Sequence, residues 1–543
     1  MQSMDIQLSR WLSTAVVAAA LVAADTSGCS IGRTKQLLTV QTTNGPITGH
    51  VAPNASSTCV IEYLGIPYAK PPVGDLRFAA PEPINVQSPY TASNFGFDCP
   101  LTPSKPVNYP GFTPQAPRII SYFASGAGTA QSEDCLTLNI WSKATPNAAA
   151  AKKPVVVFFY GGRFTIGNTN SPFYNGQHFA AAQDVVVVTV NYRVNIFGFP
   201  GAPGETTQNL GLRDQRAAVE WVRDNIVHFG GDAARIVLAG QSSGGVAADY
   251  WAYAYQTDPI AAGLTLASGT AFSFPLNAPG VADRNWNTVV AAVGCNTTSP
   301  ANNHTTTMAC MRAAPWTALK AAAAAIKPTA STSILRSIPA FYPQVDNALV
   351  FPDYAARTAA AEFAPLPILA GNNDNEAGYY RIAAYGNGGV VPTPTQVDAF
   401  HLESFTCPVA HQAAARRARG VPAWVYRYFA DWENTRLYDG SGAYHGVDLH
   451  MVFGGSEEVS GLGREAEQGV LEEVVQRAWY EFAREPWGGL EREMGWPKWE
   501  EGRESLVELG RDNAAAVRFV EPGLYVGGCG NVTLGALGVL PTA

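Results

Sequence analysis

An α/β fold, with a large mostly parallel central sheet flanked by helices, is predicted for this chain of 543 residues by three observations. First, the runs at 155–160 (VVVFFY), 185–192 (VVVVTVNY) and 236–239 (IVLA) are almost continuously apolar and rich in β-branched or aromatic residues. That is the pattern of strands buried on both faces. Second, residues 210–232 carry Leu212, Ala217, Val219, Trp221, Val222 and Ile226 at helical spacing before a Gly230-Gly231 stop. Strand, helix and strand in that order predict a right-handed crossover. Third, the last of these strands runs into Gly240-Gln241-Ser242-Ser243-Gly244 and then into an apolar helical run from Val246. This is a GxSxG turn between strand and helix.

Beyond that turn, further strands are expected at 264–267, 367–370 and 423–429, so the sheet continues past Ser242. Residues 271–335, with the alanine-rich stretch 318–326, and the charge-rich segment 456–512, with helical spacing at 471–482, read as helical insertions and a closing helix. No internal repeat and no Pro-, Gly- or Ser-rich linker divides the chain, so a single domain from residue 25 onward is predicted.

Composition narrows the class. Hydrophobic residues at 47% and charged ones at 15% describe an ample core and exclude wholesale disorder. The net charge of -8, with no basic cluster beyond Arg416-Arg417-Ala418-Arg419, argues against a nucleic-acid partner. That cluster reads as a solvated helix face. At the N-terminus, Arg10 precedes an apolar run at 11–24 that ends in small residues, the pattern of a secretory signal peptide cleaved near Ala24. It is too short to span a bilayer, and no other stretch is a transmembrane candidate. The uncharged tail at 532–543 is a poor lipid-anchor signal. Export predicts an oxidising, extracellular setting, which suits an even count of eight cysteines. Asn54, Asn296, Asn303 and Asn531 begin N-x-S/T sequons, marking exposed glycosylated loops in a eukaryotic source.

The turn at Ser242 implies chemistry. Its glycines are required because a Cβ two residues before or after the serine would collide with the neighbouring strand or helix. The plain alternative is an ordinary glycine-rich βα turn. A serine hydroxyl needs a base to take its proton, and that base needs an acid to fix its tautomer. In this strand-turn-helix context the order is Ser, acid, His. Glu376 lies in a loop after the strand at 367–370, with Asp374 as the rival acid. His445 follows the strand at 423–429, with His450 as the rival base, although the apolar residues 451–453 behind His450 favour a structural part for it. Oxyanion donors are expected from the backbone N–H groups of Gly162 and Arg163, in the turn after 155–160, and of Ser243.

Several separate motifs resemble those of the type-B carboxylesterase/lipase family, which includes cholinesterases and some fungal lipases. They are EYLGIPYAKPPVGDLRF at 62–78, SEDCLTLNIW at 132–141, NYRVNIFGF at 191–199, NLGLRDQRAAVEWVRDNIVHFGGD at 209–232 and the turn at Ser242 itself, spread over residues 40–529. The resemblance implies an α/β-hydrolase fold, with Ser242 as nucleophile, Glu376 as acid and His445 as base. It also implies disulfides Cys99 to Cys135, Cys295 to Cys310 and Cys407 to Cys529. Cys29 and Cys59 remain, and their pairing with each other is left open.

The chain departs from the family pattern at informative places. Gln241 stands where the family usually has glutamate, Arg163 where the oxyanion turn usually has Gly or Ala, and Asn375 and Ala377 flank the acid where Asp and Gly are commoner. The Arg163 side chain either enters the acyl pocket or turns outward to a carboxylate. Between Cys99 and Cys135 there is no tryptophan to hold a choline group, which disfavours a cholinesterase. Ile119, Ile120, Tyr122 and Phe123 in that loop are either a lid or a packed patch. The expected protein is a secreted hydrolase of small-molecule or lipid carboxylic esters, without metal or organic cofactor, acting through an acyl-enzyme. The rivals are an acyltransferase using an alcohol or amine acceptor and an inactive adhesion-type binding protein.

Overall fold

The computed structural model describes residues 38–534 apart from 54–57, 86, 146, 297–303, 330–332 and 336. The expected signal peptide, Cys29, and the sequons at Asn54 and Asn303 lie outside the described residues.

The main sheet has eleven strands. In chain order they are β1 (His50–Val51), β2 (Val60–Pro67), β3 (Thr137–Lys143), β4 (Lys153–Phe159), β5 (Val186–Val190), β6 (Gly231–Gln241), β7 (Gly263–Ala267), β8 (Ile368–Asn373), β9 (Ala423–Tyr428), β10 (Leu506–Leu509) and β11 (Arg518–Val520). Across the sheet the order is β1-β2-β3-β5-β4-β6-β7-β8-β9-β10-β11. The strands from β5 to β10 are parallel neighbours, and antiparallel pairs close both edges. Every residue of β4 and β5 is buried, as their unbroken hydrophobic runs require. A smaller sheet joins Thr39–Thr42, Gly45–Thr48 and Tyr90–Thr91.

Five helices position the site or the sheet: α1 (Ala116–Phe123), α2 (Leu210–Asn225), α3 (Ser243–Ala254), α4 (Ala377–Gly386) and α5 (Ala466–Arg484). Helix α2 buries Leu212, Val219 and Val222 and carries the chain from β5 to β6. These strands flank β4, so the crossover passes over one strand that the local pattern could not reveal. Gly230, at φ +89°, ends the helical stretch, and β6 begins at Gly231, earlier than the apolar run at 236–239 suggests. Helix α5 buries Leu471, Val475, Ala478, Trp479 and Phe482 and packs on β4 and β6.

The insertion after β7 is helical, with Val281–Ala292, His304–Ala313 and Trp316–Ala325. Two expectations are corrected. The segment 456–512 does not end as helix, because Leu506–Leu509 forms β10, where parallel pairing with β9 supplies backbone partners that a local charge pattern cannot signal. Nor is Arg416 on a solvated face: it is fully buried and pairs with Asp249 at 3.1 Å, while Arg417 and Arg419 are exposed. Asp249 lies on α3, so this ion pair ties the helix behind Ser242 to the helix Cys407–Ala418.

Cys99 bonds Cys135, Cys295 bonds Cys310 and Cys407 bonds Cys529, as the family resemblance implies. Cys59 is disulfide-bonded too. Asn296 and Asn531 are exposed. Among the described residues no helix is long and apolar enough to cross a membrane.

Candidate active site

Ser242, Glu376, His445 and Arg163 all follow the carboxyl ends of parallel strands, β6, β8, β9 and β4 respectively, the edge where sites in such sheets form. Ser242 sits between β6 and α3 at φ +56° and ψ -124°, a conformation that side-chain-bearing residues rarely adopt. The turn is held by close packing. A Cβ on Gly240 would lie 2.2 Å from the Gly244 carbonyl, and one on Gly244 would lie 2.0 Å from that of Phe159. The steric reason expected for both glycines is thus present. Ser242 donates its backbone N–H to Ala267 O at 2.8 Å.

The structure brings Glu376 and His445 together and leaves their rivals aside. Glu376 is fully buried, and its Oε2 meets His445 Nδ1 at 2.5 Å. Its Oε1 accepts from Ser268 Oγ and from the Asn373 backbone N–H, each at 2.7 Å. A carboxylate held by three donors from three segments of the chain cannot rotate away, so His445 carries its proton on Nδ1 and leaves Nε2 free to accept. Asp374 instead points to Arg427 at 2.9 Å. His450 is buried against Phe173 with neither ring nitrogen bonded among the described residues, and burial pushes its pKa down to about 3. It is a core histidine.

His445 Nε2 has two near partners, the Gln241 side-chain amide at 3.0 Å and the Tyr380 hydroxyl at 3.3 Å. Burial raises the Tyr380 hydroxyl pKa, so it stays a neutral donor. Among the described residues Ser242 Oγ and His445 make no direct hydrogen bond, although both line the same cavity. Such bonds often tighten only when substrate enters. The ring of His445 is further walled by Tyr380, Phe405 and Phe123, with centroids 5.0, 5.2 and 6.4 Å away.

Opposite the serine, Gly162, Arg163 and Phe164 have successive positive φ of +110°, +54° and +58°. Among the described residues the backbone N–H groups of Gly162 and Arg163 reach no acceptor, and that of Ser243, first in α3, has no intrahelical one. Three unspent donors beside a serine are what an oxyanion requires. Holding Arg163 in the left-handed region costs about 1–2 kcal/mol relative to glycine. Its side chain lines the cavity and donates from Nη1 to Ser337 Oγ at 3.1 Å. Among the described residues no carboxylate pairs with it.

The cavity holds about 340 Å³ and is walled by Phe123, Ile166, Leu335, Tyr379 and Tyr380. That is the size of a small-molecule site. Helix α1 lies packed down in this structure: Ile119 is buried, Phe123 stacks edge-on to Tyr379 at 4.9 Å, and Arg118 donates to Val459 O at 2.9 Å.

Sequence reasoning missed Ser268, Asn373, Tyr380 and Asp448. Asp448 accepts from Asn373 Nδ2 at 3.1 Å and Tyr426 OH at 3.2 Å, so it steadies the residue that steadies Glu376. Burial, with Glu376 nearby, lifts its pKa to about 6. For Ser268 there was a usable signal, since Ser268-Gly269 directly follows a parallel strand. A Cβ on Gly269 would lie 2.0 Å from Ser242 O.

Comparison with known proteins agrees with this arrangement. The chain is 32% identical to a chlorogenic acid esterase of Aspergillus niger, over 90% of this chain and 93% of the relative. It is 32% identical to secreted lipase 5 of Gibberella zeae, over 88% and 91% of the two chains. An acetylcholinesterase of Electrophorus electricus is 33% identical over 74% of this chain and 60% of its own. A sequence profile of the carboxylesterase family matches residues 36–398, and the protein accordingly belongs to that family, as a carboxylic ester hydrolase with the α/β-hydrolase fold.

Proposed function

We propose that the protein is an exported serine esterase that cleaves small-molecule carboxylic esters through an acyl-enzyme on Ser242. The observation that carries this reading is the cavity lined together by Ser242, by the Glu376-oriented His445 and by Gly162 and Arg163, whose backbone N–H groups are unspent among the described residues, with the N–H of Ser243 next in the chain to the serine. In the first half-reaction Ser242 Oγ bonds to the ester carbonyl carbon while His445 Nε2 takes its proton. The carbonyl oxygen becomes an oxyanion received by the N–H groups of Gly162, Arg163 and Ser243. Collapse expels the alcohol, which leaves with the proton from His445. Water then repeats the sequence on the acyl-serine, releasing the acid and restoring the hydroxyl. Glu376 remains ionised throughout and stabilises the imidazolium.

Export through the leader at 1–24, with residues 25–543 working as one unit, is supported by three disulfides, by the exposed sequons at Asn296 and Asn531, and by similarity to a protein named a secreted lipase. The test is covalent labelling with a fluorophosphonate probe followed by peptide mapping. We expect one adduct, on Ser242, and loss of both labelling and esterolysis by roughly 10⁴-fold or more in Ser242→Ala. An adduct elsewhere, or substantial turnover by the folded variant, overturns the assignment.

A further inference from the structure

We propose that Arg163 and Ser337 form a subsite for a carboxylate carried by the ester substrate. This rests on the reading of Ser242 as the nucleophile and adds the charge class of the ester. Among the described residues, Arg163 is the lone Lys, Arg, Asp or Glu that lines the cavity containing Ser242. Among the described residues no acidic side chain lines it, and Gln241, beside the serine, is a neutral amide. The guanidinium therefore meets its anion neither in the wall nor, among the described residues, anywhere behind it. Among the described residues its side chain bonds the neutral Ser337 hydroxyl, which leaves most of its five N–H donors for a ligand.

Its surroundings raise the effect of that charge. Arg163 and Ser337 also line a second, narrow crevice together with Phe274, Pro339, Tyr342 and Phe400, so the pair has apolar side chains as neighbours. An ion pair formed there is less screened than one in water. Burial holds the Tyr379 hydroxyl neutral, its pKa pushed up to about 12, and Tyr380 is raised likewise. Neither phenol supplies a competing negative charge. The backbone at this residue is strained as well. Arg163 holds φ +54°, where glycine would be relaxed, and strain retained beside a reacting serine points to a use for the side chain. A planar fork that can grip both oxygens of a carboxylate is such a use.

The carboxylate could sit on the acyl half or the alcohol half of the ester, and two matched pairs separate these sources. The acyl pair is p-nitrophenyl butyrate against p-nitrophenyl hemisuccinate; the alcohol pair is phenyl butyrate against the butyrate ester of 4-hydroxybenzoate. The readout is the anionic-to-neutral ratio of kcat/KM, in which any change at the shared oxyanion hole cancels. In Arg163→Gly, which retains the backbone N–H and relaxes φ, we expect the ratio for one pair to fall by about 10- to 100-fold. Arg163→Lys should recover it only in part, and Ser337→Ala should lower it less. In the intact protein the same ratio should fall as salt is raised. A fall in the first pair places the carboxylate on the acyl half, and a fall in the second places it on the alcohol. If neither ratio changes, the subsite does not exist. Calorimetric binding of monomethyl succinate and of 4-hydroxybenzoate to Ser242→Ala protein, with and without Arg163→Gly, reads the subsite apart from the chemistry. Weakening of either ligand supports the subsite even if Ser242 proves not to be the nucleophile, and unchanged binding of both overturns it.

Discussion

Replacing Glu376 by glutamine tests the geometry of the site more sharply than deleting the serine, because it exchanges one oxygen for an amide and little else. Oε1 of Glu376 receives two donors, from Ser268 and from the Asn373 backbone, whereas Oε2 faces His445 Nδ1 alone. A glutamine therefore keeps its oxygen on the two-donor side and turns its NH₂ toward His445. Nδ1 must then accept, which moves the ring proton to Nε2, the nitrogen that has to take the proton of Ser242. It also sets an N–H against the Gln241 amide, 3.0 Å from Nε2 in the native arrangement. The wrong tautomer in a comparable triad costs roughly 10⁴-fold in kcat, which is about 5 kcal/mol of barrier. The assay is kcat and KM on p-nitrophenyl butyrate, with circular dichroism and disulfide mapping to show that the variant is folded. We expect kcat to collapse while KM changes little, since Glu376 is fully buried and does not line the cavity. A folded variant with less than a tenfold loss in kcat would show that Glu376 is not the acid that orients His445.

Asp448 makes stability depend on pH with a definite sign. Its folded pKa of about 6 exceeds the unfolded value near 3.8, so the folded state holds the proton more tightly and stability from this group declines as pH rises from about 4 to 6. Asp448→Asn should remove that slope, so the variant's unfolding free energy relative to the native protein should rise by about 2–3 kcal/mol between pH 4 and pH 7 in urea titrations; a flat difference would show that Asp448 titrates normally. The disulfides should differ in weight, because Cys407 and Cys529 are 122 residues apart and Cys295 and Cys310 only 15. In chain-entropy terms, Ala at both members of the longer pair should cost about 5 kcal/mol and at the shorter about 3. Guanidinium midpoints in the opposite order would contradict this. Gly244→Ala, whose new Cβ would lie 2.0 Å from the Phe159 carbonyl, should yield little folded protein, and a stable, active variant would show that the turn is looser than its packing implies.

The amino-acid sequence by itself determined what short-range sterics and periodicity encode. The buried strands around 155–160, 185–192 and 236–239, the helix within 210–232 and the glycine-flanked serine all follow from neighbours within a dozen residues, and each is found there, although the third strand starts at Gly231 and the α-helix ends at Asn225. The choice among chemically equal candidates was not local. Glu376 and His445 are 69 residues apart, and Gln241 and His445 are 204 apart, so only the folded sheet decides that these meet while Asp374 turns to Arg427 and His450 goes into the core. The burial of Arg416 and the pairing of β10 have the same origin, a partner supplied by a distant segment. Arg163 shows the division most plainly. Sequence marks it as unusual, but whether its charge faces a carboxylate or an open cavity depends on what the tertiary structure places within a few ångströms of it, and that is the neutral hydroxyl of Ser337.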